Sequence, residues 1–279
     1  MKLPLRIAIL MCDSPLYKTA EKYGNYGGVF SELLKASAES LKDAVPGLSS
    51  ISGLEISKWD VDKAQNYPAL ENIDAILITG SRKLVLNSHW LISMSDAIKY
   101  LGANAYDSVP WVLKLVDYVQ RVLEQDRVRI VGVCFGHQIL GRALELLVGP
   151  NDLGWELAVT PISLTPTGQR LLKNGLIPKA MSLQQIHRDI VKVDALPEGI
   201  ENLGYTDTCK IQGMYKRGRF ISVQGHPEFT PGIVRELLDK RLEMGIFTKE
   251  MYAESIARVE NQHDGIAVGA AFLRFLLED

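Results

Sequence analysis

Val131-Gly132-Val133-Cys134-Phe135-Gly136-His137-Gln138 sets a cysteine between an apolar run and a segment of helical period, with a glycine two residues to either side. A buried strand that turns sharply into a helix is the repeating step of a mostly parallel sheet covered on both faces. The spacing is the thiol counterpart of the Gly-x-Ser-x-Gly nucleophile elbow. A nucleophile on such a turn sits in strained backbone where bulky neighbours would collide, so glycines flank it. The turn pushes the sulfur out at the carboxyl edge of the sheet, where α/β proteins bind ligands. The helix that follows points its N-terminus at the thiol, which favours thiolate and anionic intermediates. On this motif alone the plainer reading, a small buried cysteine in a tight turn, stays open.

The flanking sequence repeats the same alternation. Residues 5–12, 54–59, 75–79 and 128–133 read as strands, the third running into Gly80-Ser81. Residues 29–41, 111–123 and 135–147 carry helical periods. The texture then changes: 158–164, 190–193, 200–205 and 220–224 read as short strands of an antiparallel or mixed extension, before helix returns at 231–243 and 253–277. Lys216-Arg217-Gly218-Arg219 reads as a solvated hairpin turn. No linker, repeat or low-complexity stretch divides the chain, which predicts one α/β domain over 1–279 with its core at about 5–245 and a peripheral helical extension at about 251–279.

Bulk properties narrow the function classes. The 279 residues are 47% hydrophobic and 23% charged, ordinary for a globular protein, and 31 basic against 33 acidic residues give a net charge of −2. No basic cluster marks a nucleic-acid footprint. No stretch approaches the roughly 18 apolar residues that span a bilayer, and the first residues lack a signal-peptide pattern. Cys12, Cys134 and Cys209 are too few and scattered for a disulfide framework, so the expectation is a cytoplasmic protein with no membrane or nucleic-acid partner. Cys12 and Cys209 lack the setting of Cys134 and read as inert or buried.

A thiol nucleophile needs a base, and the base an orienting acid. Of His89, His137, His187, His226 and His263, only His226 leaves a predicted strand with a carboxylate close behind, in Gly225-His226-Pro227-Glu228. Pro227 favours an extended conformation at His226. His226 can then face Cys134 while Glu228 holds its far ring nitrogen; the alternative is a bland turn. His137 lies on the helix leading away and reads as structural. No metal-ligand spacing competes for these histidines, and neither metal nor cofactor is expected.

Residues 132–138 and Gln224-Gly225-His226-Pro227-Glu228-Phe229 together resemble the class I (triad) glutamine amidotransferases, and the resemblance covers roughly residues 5–245. Within that family the chain is most similar to the stand-alone branch that includes γ-glutamyl peptidases, through Leu10 to Ser14, Tyr23 to Phe30 and Ile186 to Val191. The resemblance implies a flavodoxin-like fold and a Cys134–His226–Glu228 triad. It implies that Gly80, Ser81 and the Phe135 N–H hold the oxyanion, and that Gln138 contacts the amino-acid end of the substrate. His187 and Asp189 resemble a substrate-side motif, with a plain polar loop as the alternative. Gly225 stands where biosynthetic amidotransferases usually carry Phe, and the loop over 82–109 departs from their short oxyanion loop.

The activity implied by the resemblance is that of a hydrolase that cleaves the γ-glutamyl amide of glutamine, γ-glutamyl peptides or glutathione conjugates through a glutamyl thioester. No ATP-binding loop or pyrophosphatase signature occurs in the chain. The alternatives are a glutaminase subunit delivering ammonia to a separate synthetase, a non-catalytic α/β regulatory module, and a redox sensor built on Cys134.

Overall fold

The computed structural model describes residues 3–50, 53–81, 103–172 and 180–278. The order of elements is β1 (Leu5–Met11), α1 (Tyr17–Tyr23), α2 (Tyr26–Ser40), β2 (Leu54–Asp60), β3 (Ala75–Ile78), α3 (Pro110–Glu124), β4 (Arg129–Val133), α4 (Phe135–Ala143), β5 (Val148–Pro150), β6 (Glu156–Leu164), α5 (Pro166–Leu172), β7 (Ala180–His187), β8 (Asp189–Val191), β9 (Glu201–Asn202), β10 (Gly204–Tyr205), β11 (Gly213–Lys216), β12 (Phe220–Val223), α6 (Pro231–Glu243), α7 (Lys249–Ile256) and α8 (Gly265–Leu277). The main sheet runs β2-β1-β3-β4-β12-β11-β9. Its first five strands are parallel, and β11 and β9 add antiparallel at one edge. Two small antiparallel sheets, β10-β6-β7 and β5-β8, form the extension.

Period-two alternation gives the main sheet two buried faces. Leu5, Ile7, Ile9, Leu77, Val131 and Val133 point to the side covered by α2 and α8, against Phe30, Leu34, Phe272 and Leu273. Ala8, Leu10, Ile76, Ile78 and Ile130 point to the other side, against Val112, Leu115 and Val119 of α3 and Ile139 and Leu140 of α4. A third cluster joins α6 to β6, β7 and the start of α2, through Tyr26, Ile186, Phe229, Val234 and Leu237.

Four expectations need correction. The helix expected over 135–147 stops at Ala143, because Glu145 takes a left-handed φ of 61° and the Leu146 N–H bonds to the Gly141 carbonyl at 2.9 Å. The strand expected over 200–205 is two: β9 stays with the main sheet, and the chain crosses at Leu203 so that β10 joins β6. The helix expected over 253–277 breaks after Ile256, since Asp264 exchanges backbone and side-chain hydrogen bonds with Ser182 of β7 instead of continuing a helix. Nor is the end of the chain peripheral: Val268, Phe272, Leu273 and Phe275 of α8 are buried in the core. β7 escaped expectation because Gln184, Gln185 and His187 interrupt its apolar pattern, yet all three are buried, with Gln184 bonded to the Val259 carbonyl and Gln185 to Gln212. The Lys216–Arg219 turn is the β11–β12 hairpin, with Gly218 at φ 65°. No helix among the described residues is long and apolar enough to cross a membrane.

Candidate active site

Cys134 occupies the single residue between β4 and α4, with φ 51° and ψ −104°. That left-handed backbone is costly for a residue with a Cβ and persists only where the surroundings hold it. The Cys134 N–H continues the ladder to the Val223 carbonyl at 2.9 Å, while the Cys134 carbonyl already accepts from Gln138 N–H in the helix. The two flanking glycines serve close approach. A Cβ on Gly136 would lie 2.3 Å from the Ile78 carbonyl oxygen, and one on Gly132 would lie 2.8 Å from the Gly136 oxygen. α4 can therefore start hard against β3 and β4 only with hydrogen at both positions.

His226 arrives from the end of β12. Its N–H bonds to the Gln184 carbonyl at 2.8 Å, an isolated bridge that ties the turn to β7. A Cβ at Gly225 would meet Gln185 Nε2 at 2.8 Å and Leu183 Cβ at 3.0 Å, so the crossing of β7 explains why this position carries no side chain. The imidazole stacks on Phe229, centroids 3.9 Å apart and planes within 2°, and Phe229 stacks in turn on Tyr26.

His226 Nδ1 lies 2.8 Å from Glu228 Oε1, and both side chains are buried. The ring also lies within electrostatic reach of the Cys134 sulfur, and the two border one crevice. Burial alone would lower the imidazole pKa. The neighbouring Cys134 and Glu228 groups outweigh burial and raise it to about 10. Glu228 Oε2 finds no hydrogen-bond partner among the described residues. The structure thus brings Cys134 together with the hydrogen-bonded pair His226 and Glu228, beside a crevice of about 20 Å³ that Gly80, Ser81, Tyr26, Ile186 and Arg241 also border.

Gly80 backs this group. A Cβ there would lie 2.9 Å from His226 Cε1, and the stacked, bonded ring has little freedom to retreat. If His226 serves Cys134 as the sequence predicts, Gly80→Ala should lower kcat/KM for a γ-glutamyl substrate by about 10²-fold, with Tm nearly unchanged. Wild-type turnover in that variant would show that the ring yields. Ser81 Oγ is buried with no partner among the described residues. The loop that follows, 82–102 with His89, lies outside those residues.

A cavity of about 230 Å³ shares Ser81, Cys134, Ile186 and Arg241 with that crevice and is lined also by Phe135, Gln138, His187, Asp189, Asn104 and Tyr106. Phe135 opens α4, and the first N–H groups of a helix have no intrahelical acceptor. The Gln138 amide spends its hydrogens on the Asp189 carbonyl at 2.7 Å and on Gln224 Oε1 at 3.1 Å, so what it can present to a ligand is an acceptor oxygen. His187 closes β7 opposite Glu156, with Nε2 at 2.9 Å from Glu156 Oε2 though poorly aligned for a hydrogen bond. Burial would raise the Glu156 pKa, but His187 and the hydroxyls of Thr206 and Thr208 hold the carboxyl below its usual range.

His137 is fully buried with Nδ1 2.9 Å from Ser222 Oγ; burial, with His187 nearby, pushes its pKa down to about 3, which leaves it a structural group. Cys12 and Cys209 are buried, and burial pushes both thiols up, Cys209 to about 12. Sequence reasoning missed Tyr26, Asn104, Tyr106, Trp155 and Arg241, which reach the cleft from other elements. The only signal for any of them was Tyr26, within the segment of peptidase resemblance.

A family model for glutamine amidotransferase class-I matches residues 102–243. The chain is 32% identical, over 98% of both chains, to a glutamine amidotransferase-like protein of Schizosaccharomyces pombe. It is 25% identical to γ-glutamyl peptidase 3 of Arabidopsis thaliana over 89% of this chain and 86% of that one. In fold it is similar to the crystal structure of a glutamine amidotransferase from Thermotoga maritima, with a TM-score of 0.65 and 12% identity over 99% of each chain.

Proposed function

The chain belongs to the class I glutamine amidotransferase family, and from that premise we propose that it is a cytoplasmic hydrolase of γ-glutamyl amide bonds with Cys134 as nucleophile. What carries the reading is the grouping of a strained cysteine at the N-cap of α4 with His226 and Glu228. Relatives named γ-glutamyl peptidases support the choice of bond.

In the proposed cycle each group has one task. His226 takes the thiol proton as the Cys134 sulfur attacks the γ-carbonyl carbon to form a C–S bond. The oxyanion is met by the Phe135 N–H and the Gly80-Ser81 backbone, a contribution worth about 10²–10³ in rate per donor. Collapse breaks the C–N bond, and the His226 proton passes to the departing amine. Water then attacks the glutamyl thioester, delivers a proton through His226, and releases glutamate with the thiol restored. Gln138 supplies an acceptor for the substrate α-ammonium, and His187 closes the same pocket. The cavity is smaller than the roughly 300–1,000 Å³ of sites for drug-sized ligands, so it suits one glutamyl group.

The purified protein, assayed alone, is expected to hydrolyse γ-glutamyl dipeptides or glutathione, and acid-quenched reactions to show the chain heavier by one glutamyl group. Absence of both turnover and adduct would defeat the proposal. Glutaminase activity appearing only with an added synthetase would favour the ammonia-delivering alternative.

A further inference from the structure

Cys134, Gln138 and Arg142 follow one another at intervals of four along α4, the spacing that stacks side chains on one face of a helix. Cys134 and Gln138 both border the cavity of about 230 Å³. Arg142 spends a single guanidinium nitrogen, Nη1, on two backbone carbonyls, those of Ala105 and Asp107, each at 2.7 Å. Neither carbonyl lies in a helix or a strand, so neither has a ladder partner to satisfy it.

Both carbonyls belong to the stretch 103–107, which supplies Ala103, Asn104 and Tyr106 to the cavity wall. Inside that stretch the Asp107 N–H bonds to the Asn104 carbonyl at 3.0 Å and the Asn104 N–H to Asp107 Oδ2 at 3.0 Å. Asn104 Nδ2 donates to Tyr106 Oη at 2.9 Å. These bonds set the shape of the turn but not its place on the protein. Ala103 and Ala105 rest in the core cluster of α3 and α4, and apolar contact has no direction. The pair of bonds from Arg142 is directional, charge-assisted, and anchored in the helix that Cys134 caps. We propose that Arg142 is a positioning residue for substrate binding: it holds the 103–107 wall in register with Cys134 and Gln138, and so sets the affinity of the cavity for the glutamyl group. The inference rests on the hydrolase reading. In so small a cavity, a wall displaced by about 1 Å can cost up to about 10²-fold.

The test measures kcat and KM for glutamine and γ-glutamylalanine, the inhibition constant of glutamate, and Tm, in the parent, Arg142→Met, Arg142→Lys and Arg127→Met. The two amides share the glutamyl group and differ in the leaving amine, and glutamate reports binding without chemistry. Arg127 is the control: it also donates to two backbone carbonyls, those of Ile73 and Leu70, but just before β4, at the far end of that strand from Cys134. In Arg142→Met, KM for both amides and the glutamate constant should rise together by about ten- to a hundredfold, with kcat within about threefold of the parent. Arg142→Lys, which keeps a charged donor, should recover part of that loss. Arg127→Met should leave all three constants in place, whatever its Tm. Unchanged KM and glutamate binding in folded Arg142→Met overturn the proposal. So does a loss confined to one amide, or a fall in kcat and Tm with glutamate binding intact, the mark of a packing role. Should Arg142→Met fail to fold, the lysine variant decides, since glutamate binding equal to the parent's would overturn the proposal. Parent turnover with indifferent Arg142 variants defeats this inference only; no turnover of either amide by the parent defeats the hydrolase reading itself.

Discussion

Cys134→Ala is expected to eliminate γ-glutamyl hydrolysis, lowering kcat by about 10⁴–10⁶-fold while the protein stays folded. No other thiol can take over. Cys12 hydrogen-bonds to the Leu10 carbonyl and Cys209 to the Ile211 carbonyl, and burial holds both in the protonated, unreactive form. Alanine keeps a Cβ in the same left-handed backbone, so strain at the turn is unchanged and only the sulfur is lost. The variant should show Tm close to that of the parent and no glutamyl adduct by intact mass. Turnover within about tenfold of the parent, with Tm unaltered, would remove Cys134 from the reaction.

Glu228→Gln should cost almost as much, about 10⁴-fold in kcat by the precedent of orienting carboxylates in other triads. The amide is nearly isosteric, so packing beside Phe229 survives, but the charge that helps hold the proton on His226 disappears. That loss gives the pH effect its sign. With Glu228 present, the imidazole keeps its proton well above neutrality and releases it near pH 10, so the alkaline limb of the kcat profile lies there. Without Glu228, burial pulls the pKa down against only the Cys134 contribution, and the limb moves toward neutral pH. Proton linkage acts on folding in the same sense. The stabilisation from His226 is complete below its unfolded value of about 6.5 and disappears as pH rises through about 10. An alkaline limb that stays in place in Glu228→Gln would show that another group carries the proton.

How far these residues could be read in advance depended on whether their chemistry is local. Gly132-Val133-Cys134-Phe135-Gly136 announces its turn because each constraint lies within a few residues: an apolar strand, a strained apex and two positions without room for a Cβ. His226 and Glu228 were legible for the same reason, with the carboxylate two residues beyond the ring it holds. Their meeting with Cys134 was not local, and it rests on β12 lying parallel beside β4, in register Val223 to Val133. β7 was lost because its buried side chains are amides bonded across the sheet, which imitate a polar loop in sequence. Arg241 was hidden differently. It occupies a helix end where a basic residue needs no special explanation, and only the approach of Trp155 and Phe247 gives it an interior position.

The placement of α8 bears on how the polypeptide acquires its structure during synthesis. Four strands of the central layer come from residues 5–133, but α8, which covers one of its faces beside α2, is made from residues 265–277. Until that segment leaves the ribosome, Leu77, Val131 and their neighbours lack part of their apolar cover. Nascent chains must therefore carry a sticky half-built layer through most of translation, a state in which chaperone capture or aggregation competes with closure.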